Sequence, residues 1–366
     1  MNLLITNSRA SYYVGGTEVV SLHQAIELAR LGHSIDYVVR ESTAPSEYFL
    51  DFHAIITREH LPITIHSVAI DAPLGDGKSW VRWNQEALSF AVAALPLYLS
   101  KQPTVDLFVA HLVTDTIGLP LGARSVLHLH GSPQQPDMLI DSAMGRVTHA
   151  IAHSDSILEW WTSHYSLSST HTFRNGVDSE IYSADVRAPR PIDVLYVGRF
   201  LEHKGILDIL NAVDESARIV IAGSGPLESE ILQTIQRRGL SRATIVRSPD
   251  NETLASLYRN AKIFACPSRA KEGVLTTMLE AAASGCAIVT SRGSGMTDIA
   301  QDEVNSLLVD PGDVQELTIA LKSLLDDATR RQTYAARFQD EVRSNWSWKR
   351  KGQELESIYQ DITTNY

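Results

Sequence analysis

Short runs of consecutive apolar residues alternate with longer stretches in which apolar residues recur every three or four positions, from one end of the chain to the other. The short runs predict strands at Asn2–Asn7, Ser34–Arg40, Val105–Ala110, Ser125–His130 and Val147–Ala152. Between the first two, Thr17–Leu31 carries helical spacing and is closed by Gly32, and Ser154 is placed to N-cap a further helix. The segment Ser183–Pro191 (SADVRAPRP) is polar, holds two prolines and has no periodicity, so it predicts a linker. A second series then restarts, with strands at Ile192–Val197, Arg218–Ala222, Thr244–Val246, Ile263–Ala265 and Ala287–Thr290. The tail from Trp346 to Ile362 has one more helical pattern with aromatic anchors at Trp346 and Trp348. Alternation of this kind predicts an α/β protein with two doubly wound domains, at 1–185 and 186–345, followed by a terminal helix over 346–366. Two such sheets in tandem imply a cleft between them, and ligands of open α/β sheets sit at the carboxyl ends of strands.

Composition narrows the function classes. A length of 366 residues suits two domains, and 44% hydrophobic with 20% charged residues describes an ordinary globular chain. Cys266 and Cys286 both fall inside apolar runs, which predicts reduced buried thiols and a cytoplasmic protein. The opening MNLLITNSRA has no basic region and only a short apolar run, so it predicts a first strand and no signal peptide. The longest apolar stretch, Ala91 to Leu99, is too short to span a bilayer and contains Pro96. The net charge of −11 is uneven: residues 1–185 hold 10 Lys+Arg against 19 Asp+Glu, and residues 186–366 hold 22 against 24. An acidic first half argues against nucleic acid as a partner and against docking on anionic lipid, leaving at most peripheral membrane contact. Twelve of the thirteen histidines lie in that half, scattered and without tight metal-ligand spacing, so most of them are expected to be ordinary core or surface histidines, and no metal site is expected.

Chemistry is sought just after each strand. After the first comes Gly15-Gly16-Thr17-Glu18, where paired glycines open a helix; a ligand anion fits there, and so does a plain turn. The strand Ser125–His130 ends LHLHGSP, and His130 can either bond a sugar hydroxyl or leaving phosphate, or sit satisfied at the sheet rim. In VGRFLEHKG, Arg199 follows its strand directly and Lys204 opens the next helix, two cations spaced to cradle a diphosphate. Taken singly, each is an ordinary surface cation. Gly223-Ser224-Gly225 is a strand-end turn able to pass a base or ribose, although it lacks the third glycine of a dinucleotide fingerprint. Backbone around Arg247 to Asp250 has the placement to read a base edge, or to serve as scaffold.

The most specific stretch is SRAKEGVLTTMLEAAASGCAIVTS. Glu272 and Glu280 sit eight positions apart, on either side of a helix start, with Leu275 and Thr276 at that start. Carboxylates accept charge-assisted hydrogen bonds from sugar hydroxyls, and the leading helix amides point at the same space. A polyhydroxylated, phosphate-linked ligand fits this set. Other chemistries lack their marks: there is no G-x-x-x-x-G-K-[ST] loop, no H-E-x-x-H, no G-x-S-x-G elbow and no D-x-D pair.

The segment resembles the E-x7-E element of retaining nucleotide-sugar glycosyltransferases of the GT-B fold, family 4. The likeness extends through GGTE, His130, NGVD at 175–178, VGRFLEHKG, AGSGPLE, LYRNAKIFACPSR, EGVLTTMLEA, GMTDI at 295–299 and NSLLVDPGD at 305–313. It implies two Rossmann-like domains facing a cleft, with the terminal helix crossing back onto the first. It implies a retaining, metal-independent hexosyltransferase that moves a sugar from a nucleoside diphosphate sugar, UDP-sugar before GDP-sugar, to a glycan, small-molecule or lipid-linked acceptor hydroxyl. No further cofactor is implied. By the same resemblance Arg199 and Lys204 hold the diphosphate, Glu280 the ribose, Glu272 the donor sugar, and His130 lies near the transferred sugar. Gly15 and Gly16 approach phosphate or acceptor, while Gly223, Gly225, Arg247, Leu275 and Thr276 belong to the donor site. Two positions depart from the family: Leu275 replaces a common glycine, and Asp298 a common glutamate. Alternatives are a catalytically silent sugar-nucleotide-binding paralogue or accessory subunit, and a same-fold epimerase or phosphorylase.

Overall fold

The computed structural model describes residues 1–73, 80–133, 137–179, 181–270, 273–293 and 295–364. The chain forms two compact units, Met1–Arg174 with Trp348–Tyr366, and Asn175–Ser347. Each is built on one parallel sheet.

The first sheet comprises β1 (Asn2–Thr6), β2 (Ser34–Arg40), β3 (Ile63–Val68), β4 (Leu107–Ala110), β5 (Ser125–Leu129), β6 (His149–Ala152) and β7 (Ser169–Thr172), in the order β3-β2-β1-β4-β5-β6-β7. The second comprises β8 (Ile192–Val197), β9 (Ile219–Ala222), β10 (Thr244–Val246), β11 (Ala261–Cys266), β12 (Ala287–Ser291) and β13 (Ser306–Val309), in the order β10-β9-β8-β11-β12-β13. These are the two doubly wound Rossmann-like sheets expected from the sequence. Both faces of each sheet are covered, so successive strand residues feed different cores. Leu3 and Ile5 enter one cluster and Leu4 another; Leu195 enters one and its neighbours Val194 and Tyr196 the other. That two-sided burial is why the strands are continuous apolar runs rather than alternating ones.

Strand order reverses between β1 and β4 in the first sheet and between β8 and β11 in the second. Each reversal sends neighbouring crossovers to opposite faces, leaving a crevice at the strands' carboxyl ends. These two switch points fix where chemistry can be assembled.

Sequence and structure differ in places. β3, β7 and β13 have no counterpart among the expected strands; β7 (STHT) carries no apolar run at all. Ser183–Pro191 lies inside the second unit: Arg190 is buried and its guanidinium donates to the carbonyls of Tyr258 (3.2 Å), Ala261 (2.7 Å) and Ser284 (2.7 Å). The terminal helix runs Trp348–Thr364 and packs within the first unit. Leu355, Tyr359 and Ile362 complete a core cluster there, and Glu356 accepts from His33 at 2.9 Å. Ser154 caps its helix, accepting from the Ile157 amide at 3.2 Å. Cys266 and Cys286 are both buried thiols outside any disulfide.

Candidate active site

The switch point of the second unit carries Arg199 and Lys204. β8 ends at Val197, and the turn after it is fixed by the Tyr196 hydroxyl, which donates to the Arg199 carbonyl at 2.8 Å. The Arg199 side chain is exposed and has no ion-pair partner among the described residues. Lys204 does not open a helix as its spacing suggested. It ends a 3-10 turn, Glu202–Lys204, and Gly205 follows at φ +71° before the helix Ile206–Ala212 begins. Gly205 is required twice: its backbone is left-handed, and a Cβ would collide with the Pro267 carbonyl after β11. The same loop grips the turn at His203, whose carbonyl accepts from the Arg269 amide (2.7 Å) and the Ser268 hydroxyl (3.0 Å). Arg269 is in turn held by the buried Asp208 through two bonds of 2.9 and 2.6 Å. Lys204 is therefore the last residue of a turn clamped from both sides.

Gly223 (φ +138°) and Gly225 (φ +158°) follow β9. Their first role is internal. A Cβ on Gly223 would strike the Gly198 carbonyl, and one on Gly225 would lie 2.6 Å from the Phe200 carbonyl and 2.7 Å from its amide. The Phe200 amide donates to the Ser224 carbonyl at 2.9 Å. The glycines let the loop after β9 lie directly against the loop that carries Arg199. Arg247, just beyond β10, is exposed and bonds Glu228 through two nitrogens at 2.7 and 2.6 Å, so its side chain is occupied within the unit.

Glu280 lies on the helix Thr276–Ala283. It is partly buried, and its carboxylate accepts from the buried Tyr258 hydroxyl at 2.9 Å. Burial raises its pKa and the tyrosine bond lowers it, leaving it pushed up to about 7. No cation among the described residues contributes to that balance. A carboxylate held this way has unspent capacity to accept hydroxyl hydrogens. Leu275 forms the helix cap without any side-chain bond, so the cap residue itself leaves the leading amides of the helix unsatisfied. Its side chain packs partly against the core cluster that includes Met278 and Leu279. Thr276, half-buried, is the first helical residue. Glu272 lies outside the described residues.

At the first unit's switch point, Gly15 caps the helix Gly16–Arg30 with no side-chain bond. A Cβ on Gly15 would lie 2.6 Å from Glu18 Oε2 and 3.0 Å from the Tyr13 ring, whereas Gly16 faces open space. The buried Glu18 carboxylate thus already faces this helix start, 4.0 Å from Arg9. A ligand at Gly15 would meet the Glu18–Arg9 pair, whereas Gly16 leaves open space beside the helix start.

The histidines depart from the sequence reading, which found them scattered. Parallel register puts Ala110 beside Leu127 and Leu129 beside Ala152. One residue further on, His111 falls beside His128 and His130 beside His153. The rings stack accordingly, with centroids 4.5 Å apart for the first pair and 4.0 Å for the second. Hydrogen bonds cross between stacks: His111 Nδ1 to His130 Nε2 at 3.0 Å, and His128 Nδ1 to His153 Nε2 at 3.1 Å. The Tyr359 hydroxyl, from the terminal helix, lies 2.8 Å from His128 Nε2. Burial, then neighbouring imidazoles, holds His111, His128 and His130 well below the ordinary histidine pKa, although the His130 residue keeps a partly exposed edge. His111 Nε2 is buried with no hydrogen-bond partner. Sequence spacing missed the group because its members come from three strands.

Residues 178–340 match the family model described as glycosyl transferases group 1. The chain is 27% identical over 230 residues to glycogen synthase of Mycobacterium tuberculosis, covering 60% of this chain and 55% of that protein. It is 33% identical over 183 residues to the D-inositol 3-phosphate glycosyltransferase of Corynebacterium kroppenstedtii, covering 46% and 40%. The chain spans about half the length of the curated relatives it matches. Among solved structures, a sucrose-phosphate synthase from Thermosynechococcus elongatus superimposes with a TM-score of 0.82 at 19% identity, covering 100% of both chains. Anabaena HepE in complex with UDP and glucose gives 0.77 at 18% identity, covering 99% of this chain and 100% of that one. These likenesses establish the GT-B type of fold.

Proposed function

We propose, from the match of residues 178–340 to the glycosyl transferases group 1 model, that the chain is a retaining transferase of that family. It moves a hexose from a nucleoside diphosphate sugar to an acceptor hydroxyl. The observation that carries this reading is the second unit's switch point. Among the described residues, an Arg199 with no ion-pair partner, a clamped Lys204 and a Glu280 carboxylate with no cation beside it follow β8 and β11 in one sheet and the helix next to it. Arg199 and Lys204 neutralise the diphosphate, with Gly223 and Gly225 keeping the loop beneath them close. Glu280 accepts the ribose hydroxyls, which relieves the cost of burying its charge. Glu272 is assigned to donor-sugar hydroxyls, and Leu275 and Thr276 to the helix start beside them. Gly15, Gly16 and His130 are assigned to the phosphate, acceptor or transferred sugar, and backbone at Arg247 to the base.

No side chain in this assignment is a nucleophile toward the donor. The acceptor hydroxyl attacks on the face from which the diphosphate leaves, and the departing phosphate oxygen takes its proton. Catalysis then rests on positioning and on stabilising the charge that develops on the diphosphate. Two cations supply that charge, so the reaction is assigned as metal-independent. UDP is the favoured nucleotide, in keeping with the UDP-bound relative; GDP is next. The acceptor is a glycan, a small molecule or a lipid-linked hydroxyl, and the location cytoplasmic. Among the described residues no helix is long and apolar enough to cross a membrane.

The test is a thermal-shift panel of UDP-, GDP- and ADP-sugars, followed by product analysis with the stabilising donor. A ligand at about 100 times its dissociation constant stabilises by roughly 2.7 kcal/mol. Binding without hydrolysis or transfer would make the chain a sugar-nucleotide-binding protein instead.

A further inference from the structure

We propose that His111, His128 and His130 form a binding site for one divalent transition-metal ion of the zinc, cobalt or nickel class. Each residue offers a ring nitrogen, and the three nitrogens lie within 4.8 Å of one another. A tetrahedral ion with metal–nitrogen bonds of about 2.0–2.1 Å holds its nitrogens roughly 3.4 Å apart. His111 Nδ1 and His130 Nε2 are already at 3.0 Å, so this pair needs to open by only a few tenths of an ångström. The rings lie nearly parallel, at interplanar angles of 21° to 31°, so ligation also turns each imidazole out of its stack; it breaks the His111–His130 hydrogen bond and, with Tyr359 kept on His128 Nε2, the bond from His128 Nδ1 to His153.

A contact from outside the group favours an ion over a purely structural stack. The Tyr359 hydroxyl fixes His128 from outside the group, the kind of second contact that orients metal-ligating histidines. The group contains no carboxylate, which disfavours magnesium, manganese and calcium and favours borderline ions that accept imidazole. Three ligands leave a fourth position for water on the partly exposed side of His130. His130 cannot ligate an ion and contact a sugar at once, so the ion would oppose sugar transfer, not assist it.

The site does not depend on the transfer reading, and its test reads metal alone. Cobalt(II) is titrated into metal-free full-length chain while visible absorption is recorded, and zinc binding is measured by calorimetry. The expected result is saturation at one equivalent with the intense absorption of a low-coordinate cobalt centre, and at least a tenfold loss of affinity in His111→Ala and in His128→Ala. Absence of saturable one-equivalent binding, or unchanged affinity in both variants, overturns the proposal. Should either variant fail to fold, X-ray absorption on the zinc-loaded wild-type chain decides: three imidazole nitrogens near 2.0 Å support the site, and one or none refutes it.

Discussion

Glu280→Gln separates the two roles assigned to this carboxylate. In the nucleotide-free protein its pKa is pushed from 4.5 to about 7 by burial, against the opposing Tyr258 bond. The folded state therefore keeps a proton that the unfolded chain has already released. Stability falls as pH rises from 4.5 through 7 and is level above that. At about 1.36 kcal/mol per pH unit, the ionised group costs about 3 kcal/mol at pH 8, an upper figure because Glu280 retains some exposure. Glutamine has the same shape, keeps an oxygen for the Tyr258 hydroxyl and cannot ionise. Urea denaturation without nucleotide should show the variant level with wild type at pH 4.5 and more stable by about 1–3 kcal/mol at pH 8. Added UDP should narrow that advantage. A ribose hydroxyl donated to a carboxylate is worth about 1 kcal/mol more than one donated to an amide, so UDP affinity in the variant should fall roughly fivefold. A variant equally destabilised at both pH values would show that the charge carries no burial cost. Unaltered UDP affinity would remove Glu280 from the nucleotide site.

Three further outcomes are expected. Lys204→Ala should lower kcat/KM by at least tenfold to a hundredfold, the loss of a charge-assisted contact of about 1.5–3 kcal/mol; unchanged kinetics would take Lys204 out of the site. Gly205→Ala should destabilise by about 1–3 kcal/mol or more, because its φ of +71° is strained for alanine and the Pro267 carbonyl must move; a urea midpoint equal to wild type would contradict the clamped turn. Transfer should survive EDTA, since Arg199 and Lys204 supply the positive charge; loss of activity restored by magnesium or manganese would refute that assignment.

The sheets were legible because two-sided burial writes their central strands as continuous apolar runs, as at Leu3–Ile5 and Ile263–Ala265. β7 was not, because its half-buried STHT carries no apolar signal. The position of Arg199 after its strand and of Glu280 on the helix beyond the next followed from the sequence, but their surroundings did not. Gly223 and Gly225 looked like a ligand approach, and the structure presses them against the chain's own Gly198 and Phe200. Lys204 was expected to open a helix and instead ends a clamped turn, because the grip on His203 comes from Ser268 and Arg269, more than sixty positions away. The histidine group was invisible for the same reason: register between β4, β5 and β6 assembles it, and no linear spacing encodes that register.

The central claim is tested most directly by incubating the purified chain with UDP-glucose, with a GDP-hexose panel run alongside, and following the donor's anomeric proton by NMR. The account predicts release of the nucleoside diphosphate, with the sugar appearing in product or in its first hydrolysis product in the donor's own α configuration, and release at least tenfold slower from Lys204→Ala. Inverted configuration, or no turnover of any donor that binds, would contradict it.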